Sequence, residues 1–389
     1  MAFIGVLLRY KIAFRLPFIE QKYVLNAHSH FAFTGWTTHI LMTLLVICLQ
    51  KKGAINSFKK YNYILTANLA ASYGMLISFS LQGYGAVSIA FSLLSILVSY
   101  VFGINYWRDL NKCSIFSISH LWFKAAIFFN ILSSLGTFGL AYQMATKVNQ
   151  VPYLMSIYFF LHFQYNGWFF FACMGLFLSL PAIKLQDAFK MKCLFWMFAC
   201  ACVPEYLLSV LWLHLPPAIY VIGVISIGVQ VTAWILLVLL LKKNGILLKL
   251  IKLQGRVLLL ISAIALSIKL LLQVGSVYLP LNNLVYGFRP IIIGYLHLVL
   301  LGVITIFILG YIVSSHFFCI TRSLKNGIIL FTAGIIINEA FLMIQGLSAL
   351  DYVVLPYINQ LLLIAALCMF AGLVLINTNL KKSHITALV

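Results

Sequence analysis

Three histidines in this chain share a local pattern. His30 is followed by FAFT-Gly35-Trp36, His162 by FQYN-Gly167-Trp168 and His297 by LVLL-Gly302, so a glycine stands five positions after each. All three lie in strongly apolar runs, where an imidazole is costly unless it is paired or ligated. The chemistry open to them is ligation through a neutral ring nitrogen, or hydrogen bonding between helices. His28 stands two residues before His30. On a helix that offset is roughly 200°, so only one of the two can face a given ligand. Glu205 and Glu339 are the carboxylates deepest in apolar runs, which suggests a proton path or a helix-interface pair. Lys124 and Lys269 lie in apolar runs too and are expected to snorkel to an interface. His39, His120, His214, His316 and His384 are nearer the run ends and read as interfacial.

The elements that must carry these residues follow from composition. Of 389 residues, 63% are hydrophobic and 8% are charged, against about 25% charged in a soluble domain. A water-soluble globule, a disordered chain and a disulfide scaffold are thereby excluded. A bilayer helix needs about 20 apolar residues, and such runs fall near 24–50, 61–82, 84–104, 118–144, 151–181, 190–213, 216–241, 257–276, 286–315, 326–347 and 356–378. Residues 1–9 add a stub, either the tail of a truncated first helix or an interfacial segment; nothing near the start reads as a cleavable signal peptide. The expected fold is therefore an all-α polytopic membrane protein with about twelve transmembrane helices, forming one domain over 1–389 with no soluble domain left over.

The histidines stand 132 and 135 positions apart, four helices each time. That spacing implies a threefold repeat of four-helix units, roughly 1–110, 111–245 and 246–380, packed as three arcs. The glycine after each histidine removes side-chain bulk, which admits either a planar ligand or a neighbouring helix. Eight cysteines fall mostly inside apolar runs without a C-x-x-C pair and read as unpaired buried thiols.

The formal charge of +20 would in a soluble chain suggest nucleic acid. Here eighteen of the 26 basic residues fall in the loops after even-numbered helices and in the C-terminal tail. Short loops rich in Lys and Arg stay cytoplasmic, so both termini are expected in the cytoplasm and nucleic acid drops out as a partner. The bilayer takes its place. Arg9, Lys11, Arg15 and Lys22 break the rule by lying on the outer side.

These residues resemble subunit I of the heme-copper oxidase superfamily, in particular its nitric oxide reductase and C-type oxidase branches. The segment GYLHLVLLGVITIFILGYIV, 294–313, is similar to the family's tenth helix. There an H-x-H pair precedes the glycine: its second histidine, an axial ligand of a low-spin haem, matches His297, and its first falls on Tyr295. LHFQYNGWFFFACMGLFLSLP, 161–181, resembles the sixth helix and places His162 at a ligand position of the non-haem metal. HSHFAFTGW, 28–36, would supply the other low-spin ligand from His30 or His28. The family's seventh helix carries adjacent histidines after a proline, whereas here the stretch is Val203-Pro204-Glu205-Tyr206. The chain also resembles the NnrS family of membrane haem and copper proteins, through His28, His30, Gly35 and the late His297.

The resemblance implies a low-spin bis-histidine haem b, with the oxygen- or nitric oxide-reducing centre lost or altered. His162 with Glu205 would hold at most a weak copper or non-haem iron site, and Tyr295 is either a haem ligand or a hydrogen-bonding residue at a helix interface. The implied role is electron transfer, or nitric oxide or haem handling, in a bacterial inner membrane, with electrons from a quinol or a periplasmic carrier. Haem propionates directed outward, or lipid headgroups, would account for the basic stretch at 9–22. The alternative is a secondary transporter with internal repeats, whose histidines and Glu205 line a substrate path.

Overall fold

In lipid, a backbone without internal partners is prohibitively costly, so long apolar runs fold as helices. The computed structural model describes residues 1–55, 57–113, 117–146, 149–181, 183, 187–213, 215–245, 253–279, 288–315, 317, 319–350 and 352–380. His214, His316 and His384 lie outside these, as do Lys147, Lys184, Lys249, Lys252, Lys381 and Lys382. Among the described residues there are twelve continuous helices and no strand. They are α1 (Ala2–Ala13), α2 (Gln21–Lys51), α3 (Lys59–Gln82), α4 (Ala86–Leu110), α5 (Ile118–Ala145), α6 (150–179), α7 (Ala188–Leu213), α8 (Pro217–Lys243), α9 (Leu253–Ser276), α10 (Arg289–Ser314), α11 (Arg322–Leu350) and α12 (Ile358–Thr378).

Ten of them, α2 to α5 and α7 to α12, are long and apolar enough to cross a membrane. The sixth helix is equally long, but His162, Gln164 and Asn166, all buried, make it more polar. With twelve residues, α1 reaches only about 18 Å at 1.5 Å per residue. The chain is thus an all-α, multi-pass membrane protein.

Every helix packs on its sequence neighbours, and α12 returns against α1, which closes the circuit. Inside it, α2 meets α6, α6 meets α10, and Trp36 of α2 hydrogen-bonds Thr305 of α10. The three repeat helices are therefore mutual neighbours at the centre, and the core is densest around Trp168, Phe163, Phe169 and Phe171 of α6.

The repeat is also written in the backbone. Directly after each of its histidines the helix widens to i→i+5 hydrogen bonding: Phe31–Thr38 after His30, Phe163–Phe169 after His162 and Leu298–Thr305 after His297. Such π segments are rare and occur frequently at functional sites. Hydroxyls reach the same widened turns, Thr37 Oγ1 donating to Ala32 O (3.0 Å) and Thr305 Oγ1 to Leu300 O (2.8 Å). Packing side chains approach the glycine five positions on. A Cβ on Gly167 would lie 2.5 Å from Phe129 Cβ of α5, one on Gly302 would meet Ala265 of α9, and Gly35 is covered by Phe31 of its own turn.

The seventh helix departs from regularity at the sequence Cys202-Val203-Pro204. Regular α-helix ends at Cys202 and a tighter 3₁₀ segment runs from Pro204 to Leu213, with Val210 out of helical conformation at φ −126° and ψ 18°. Pro204 has no N–H to donate and clashes with the preceding turn, which frees carbonyls just before it.

Two expectations for single residues are corrected. Lys269 does not snorkel; it is 4% exposed and faces the interior. His39 is not interfacial, because α2 continues twelve residues past it, and its Nδ1 stands 3.4 Å from Asn68 Nδ2. His120 does sit in the first turn of α5, though buried.

Candidate functional site

Three central helices make three interfaces, and corresponding positions pair across them in the same rotational sense. Trp168 Nε1 of α6 donates to Thr38 Oγ1 of α2 (3.2 Å), and Trp36 Nε1 of α2 donates to Thr305 Oγ1 of α10 (3.1 Å). In both cases the donor lies six positions after the repeat histidine and the acceptor eight positions after it. The third pair is Val303 and Phe170, apolar on both sides and lining one small cavity together. Replacing donor and acceptor together leaves no buried polar group unsatisfied.

A second set of positions decides the chemistry. Two residues before the repeat histidines stand His28, Phe160 and Tyr295. Between α6 and α2 the occupants are Phe160 and Phe33, rings 5.8 Å apart, an apolar pair. Between α10 and α6 they are Tyr295 and Tyr165, edge to face at 6.1 Å. Between α2 and α10 the occupant is His28. One threefold frame thus carries three different chemistries.

At the interface of α2 and α10, His28 and His297 lie within electrostatic reach of each other and of Arg9 on α1. Arg9 is also within reach of Glu339 on α11, whose Oε1 accepts from Asn338 Nδ2 at 3.0 Å. Nδ1 of His297 is 2.8 Å from the carbonyl of Ile293, one turn back. A carbonyl only accepts, so that nitrogen carries the proton and Nε2 keeps its lone pair, the arrangement usual for a ligating imidazole. Nδ1 of His28 is buried without a hydrogen-bond partner among the described residues. Gly5 of α1 closes over its ring, where a Cβ would stand 3.5 Å from Cε1.

His30 goes elsewhere. Its ring stacks on Phe79 of α3 at 4.2 Å and 10°, and Nε2 meets Tyr84 Oη at 3.2 Å. Of His28 and His30, His28 is therefore the one that shares an interface with His297. Tyr295 likewise faces α6 rather than the histidine pair.

No protein-family model matches this chain, and no curated protein matches it.

The interface of α10 and α6 continues into a buried polar cluster. His162 is fully buried with both ring nitrogens engaged: Nδ1 faces Asn166 Nδ2 at 3.0 Å and Nε2 faces the freed carbonyl of Cys202 at 2.8 Å. The amide donates to Nδ1, so Nε2 carries the proton and no lone pair remains for a metal. Glu205 is also fully buried; Gln230 is its nearest polar neighbour, and Lys269 of α9 lies within electrostatic reach without forming an ion pair among the described residues. A cavity of about 10 Å³, bounded by Lys269, Gln230, Asn166 and Tyr165, lies beside this pair, and it is close to the smallest space that holds a single water.

His162 and Glu205 therefore do not fit a copper or iron site as they stand. No group of three or more His, Cys, Asp or Glu side chains placed to hold a metal ion occurs among the described residues. Lys269 is the functional residue that composition hid, since a lone lysine in an apolar run normally reaches for an interface. The signal available was its place in α9, seven residues from the nearest helix end.

Proposed function

We propose that this chain is a membrane haem protein of heme-copper oxidase subunit I type. In this reading His28 and His297 hold a low-spin haem b between α2 and α10, and the metal centre on α6 and α7 has been replaced by organic side chains. The observation that carries it is the state of the two imidazoles. His297 has its Nδ1 fixed by Ile293 and Nε2 open, and the half-buried His28 across the same interface has a buried Nδ1 with no hydrogen-bonding partner among the described residues. Two neutral imidazoles on facing helices are the donor set of a bis-histidine haem. Arg9, within reach of both, supplies the cation that a propionate needs.

When bound, haem supplies one-electron redox chemistry. The chain's own part is to hold the His297 proton on Nδ1, to keep water away with the aromatic packing of α2 and α6, and to balance carboxylate charge with Arg9. The role is electron transfer, or nitric oxide or haem handling, in a bacterial inner membrane with both termini cytoplasmic.

The deciding experiment is the reduced-minus-oxidised optical spectrum of purified protein. A sharp low-spin α band, lost in His297→Ala, is the expected result. A colourless preparation after expression with ample haem overturns the reading. Carbon monoxide should leave the spectrum unchanged, and elemental analysis should find iron from haem without copper. Reporter fusions at each terminus test the orientation.

A secondary transporter is the second reading, and one observation favours it. Glu205 and Lys269 are buried opposite each other where α7 breaks, as in transporters that bind substrate at interrupted helices. Uptake into proteoliposomes by colourless protein would select it.

A further inference from the structure

Beyond both interfaces lies a cavity of about 820 Å³ bounded by α6, α7, α9, α10 and α11. Its mouth lies between α9 and α11, where Leu271 (69%) and Leu347 (57%) are exposed on spanning helices and so face the bilayer. Tyr165, Tyr295 and Trp212 line it with aromatic rings, and Gln273 and Glu339 with acceptor oxygens. Gln273 is 7% exposed, yet its Oε1 has no hydrogen-bond partner among the described residues. A buried acceptor left unsatisfied is costly. Glu339 is the only charged residue lining the cavity among the described residues, and Arg9 reaches it from α1, outside the wall.

We propose that this cavity binds an amphiphilic amine, an aliphatic tail with a protonated, N–H-bearing ammonium head, entering sideways from the bilayer. Each part of that ligand answers a feature of the wall. An ammonium N–H donates to Gln273 Oε1. Glu339 sets the sign of the charge, and the rings of Tyr165, Tyr295 and Trp212 add to it, since ring quadrupoles attract cations most strongly out of water. The tail continues the apolar mouth into lipid.

Charge separates this ligand from other lipids. A fatty acid or an anionic phospholipid would bring its negative head to Glu339 with no lining cation to receive it. Phosphatidylethanolamine carries the same ammonium, but with a phosphate beside it. A plain acyl chain would leave Gln273 unsatisfied. The volume lies within the 300–1,000 Å³ usual for small-molecule sites. The inference stands apart from the haem reading, because neither His28 nor His297 lines this cavity.

The test is binding of radiolabelled dodecylamine, at neutral pH where it is a cation, to the full chain in phosphatidylcholine nanodiscs, with empty nanodiscs subtracted. Saturable binding is expected. Dodecyltrimethylammonium has the charge without an N–H and should compete about tenfold less well, the worth of one hydrogen bond. Dodecanol, dodecanoate and added phosphatidylethanolamine should not compete. Gln273→Leu should weaken dodecylamine about tenfold and spare the trimethylammonium, so that the two bind alike; a general loss of structure would not level them. Glu339→Gln should weaken both cations together, and Ala340→Phe, at the exposed rim, should do the same by filling the mouth. The inference is overturned by absence of saturable binding, by competition from dodecanol, dodecanoate or phosphatidylethanolamine, or by an amine preference kept in Gln273→Leu. Unchanged affinity in whichever of Glu339→Gln and Ala340→Phe folds overturns it as well.

Discussion

Two histidines separated by one residue end in different interfaces because a helix turns them about 200° apart. His30 is taken up by Phe79 and Tyr84, whereas His28 is left with His297 and Arg9. The histidine variants should therefore separate: His28→Ala abolishes the low-spin α band and His30→Ala keeps it, read in the same difference spectrum. The reverse pattern would move the ligand to His30. Lys269 and Glu205 allow a second test. Removing one member of a buried charge pair costs about 3–5 kcal/mol, while removing both is close to neutral. Lys269→Met should lower the thermal midpoint strongly, and adding Glu205→Gln should restore most of it. Independent, additive losses would show that the two do not form a pair.

At the scale of elements, helix proximity depends on missing side chains. A Cβ on Gly136 of α5 would stand 2.6 Å from both Phe160 N and Ser156 O of α6, and one on Gly372 of α12 would stand 2.6 Å from Phe331 N of α11. These are backbone atoms, which cannot swing aside as a side chain can. Small residues at helix crossings are the common membrane solution. Gly136→Val should therefore destabilise by about 2 kcal/mol, within the range for overpacking, measured as a loss of thermal midpoint in detergent. Gly228, with open space around it, is the control, and Gly228→Ala should be neutral or slightly stabilising through helix propensity.

The whole molecule is a pseudo-threefold frame in which corresponding positions have diverged. The Trp-to-Thr bonds are kept at two of its interfaces and jointly lost at the third. A double-mutant cycle on Trp168→Phe and Thr38→Val should give a coupling of about 0.5–1 kcal/mol, the usual scale for interhelical hydrogen bonds in membranes. Trp168→Phe with Thr305→Val should be additive, since those residues belong to different pairs. Coupling in the second cycle and none in the first would refute the ring.

The number of helices, their bounds to within a few residues and the repeat that places three histidines on α2, α6 and α10 were legible in the sequence. Apolar length and the spacing of His and Gly report the bilayer and the helical repeat directly. The partners of each imidazole were not. They depend on how far a helix has rotated when it meets its neighbour, and the π segments after His30, His162 and His297 change that rotation. Nor does composition distinguish a lysine that snorkels from Lys269, which is held inside opposite a carboxylate 64 positions earlier. Sequence alone therefore determined the membrane, the topology of runs and the candidate residues. Tertiary structure decided which of them meet, because packing between helices distant in sequence sets the direction of every side chain.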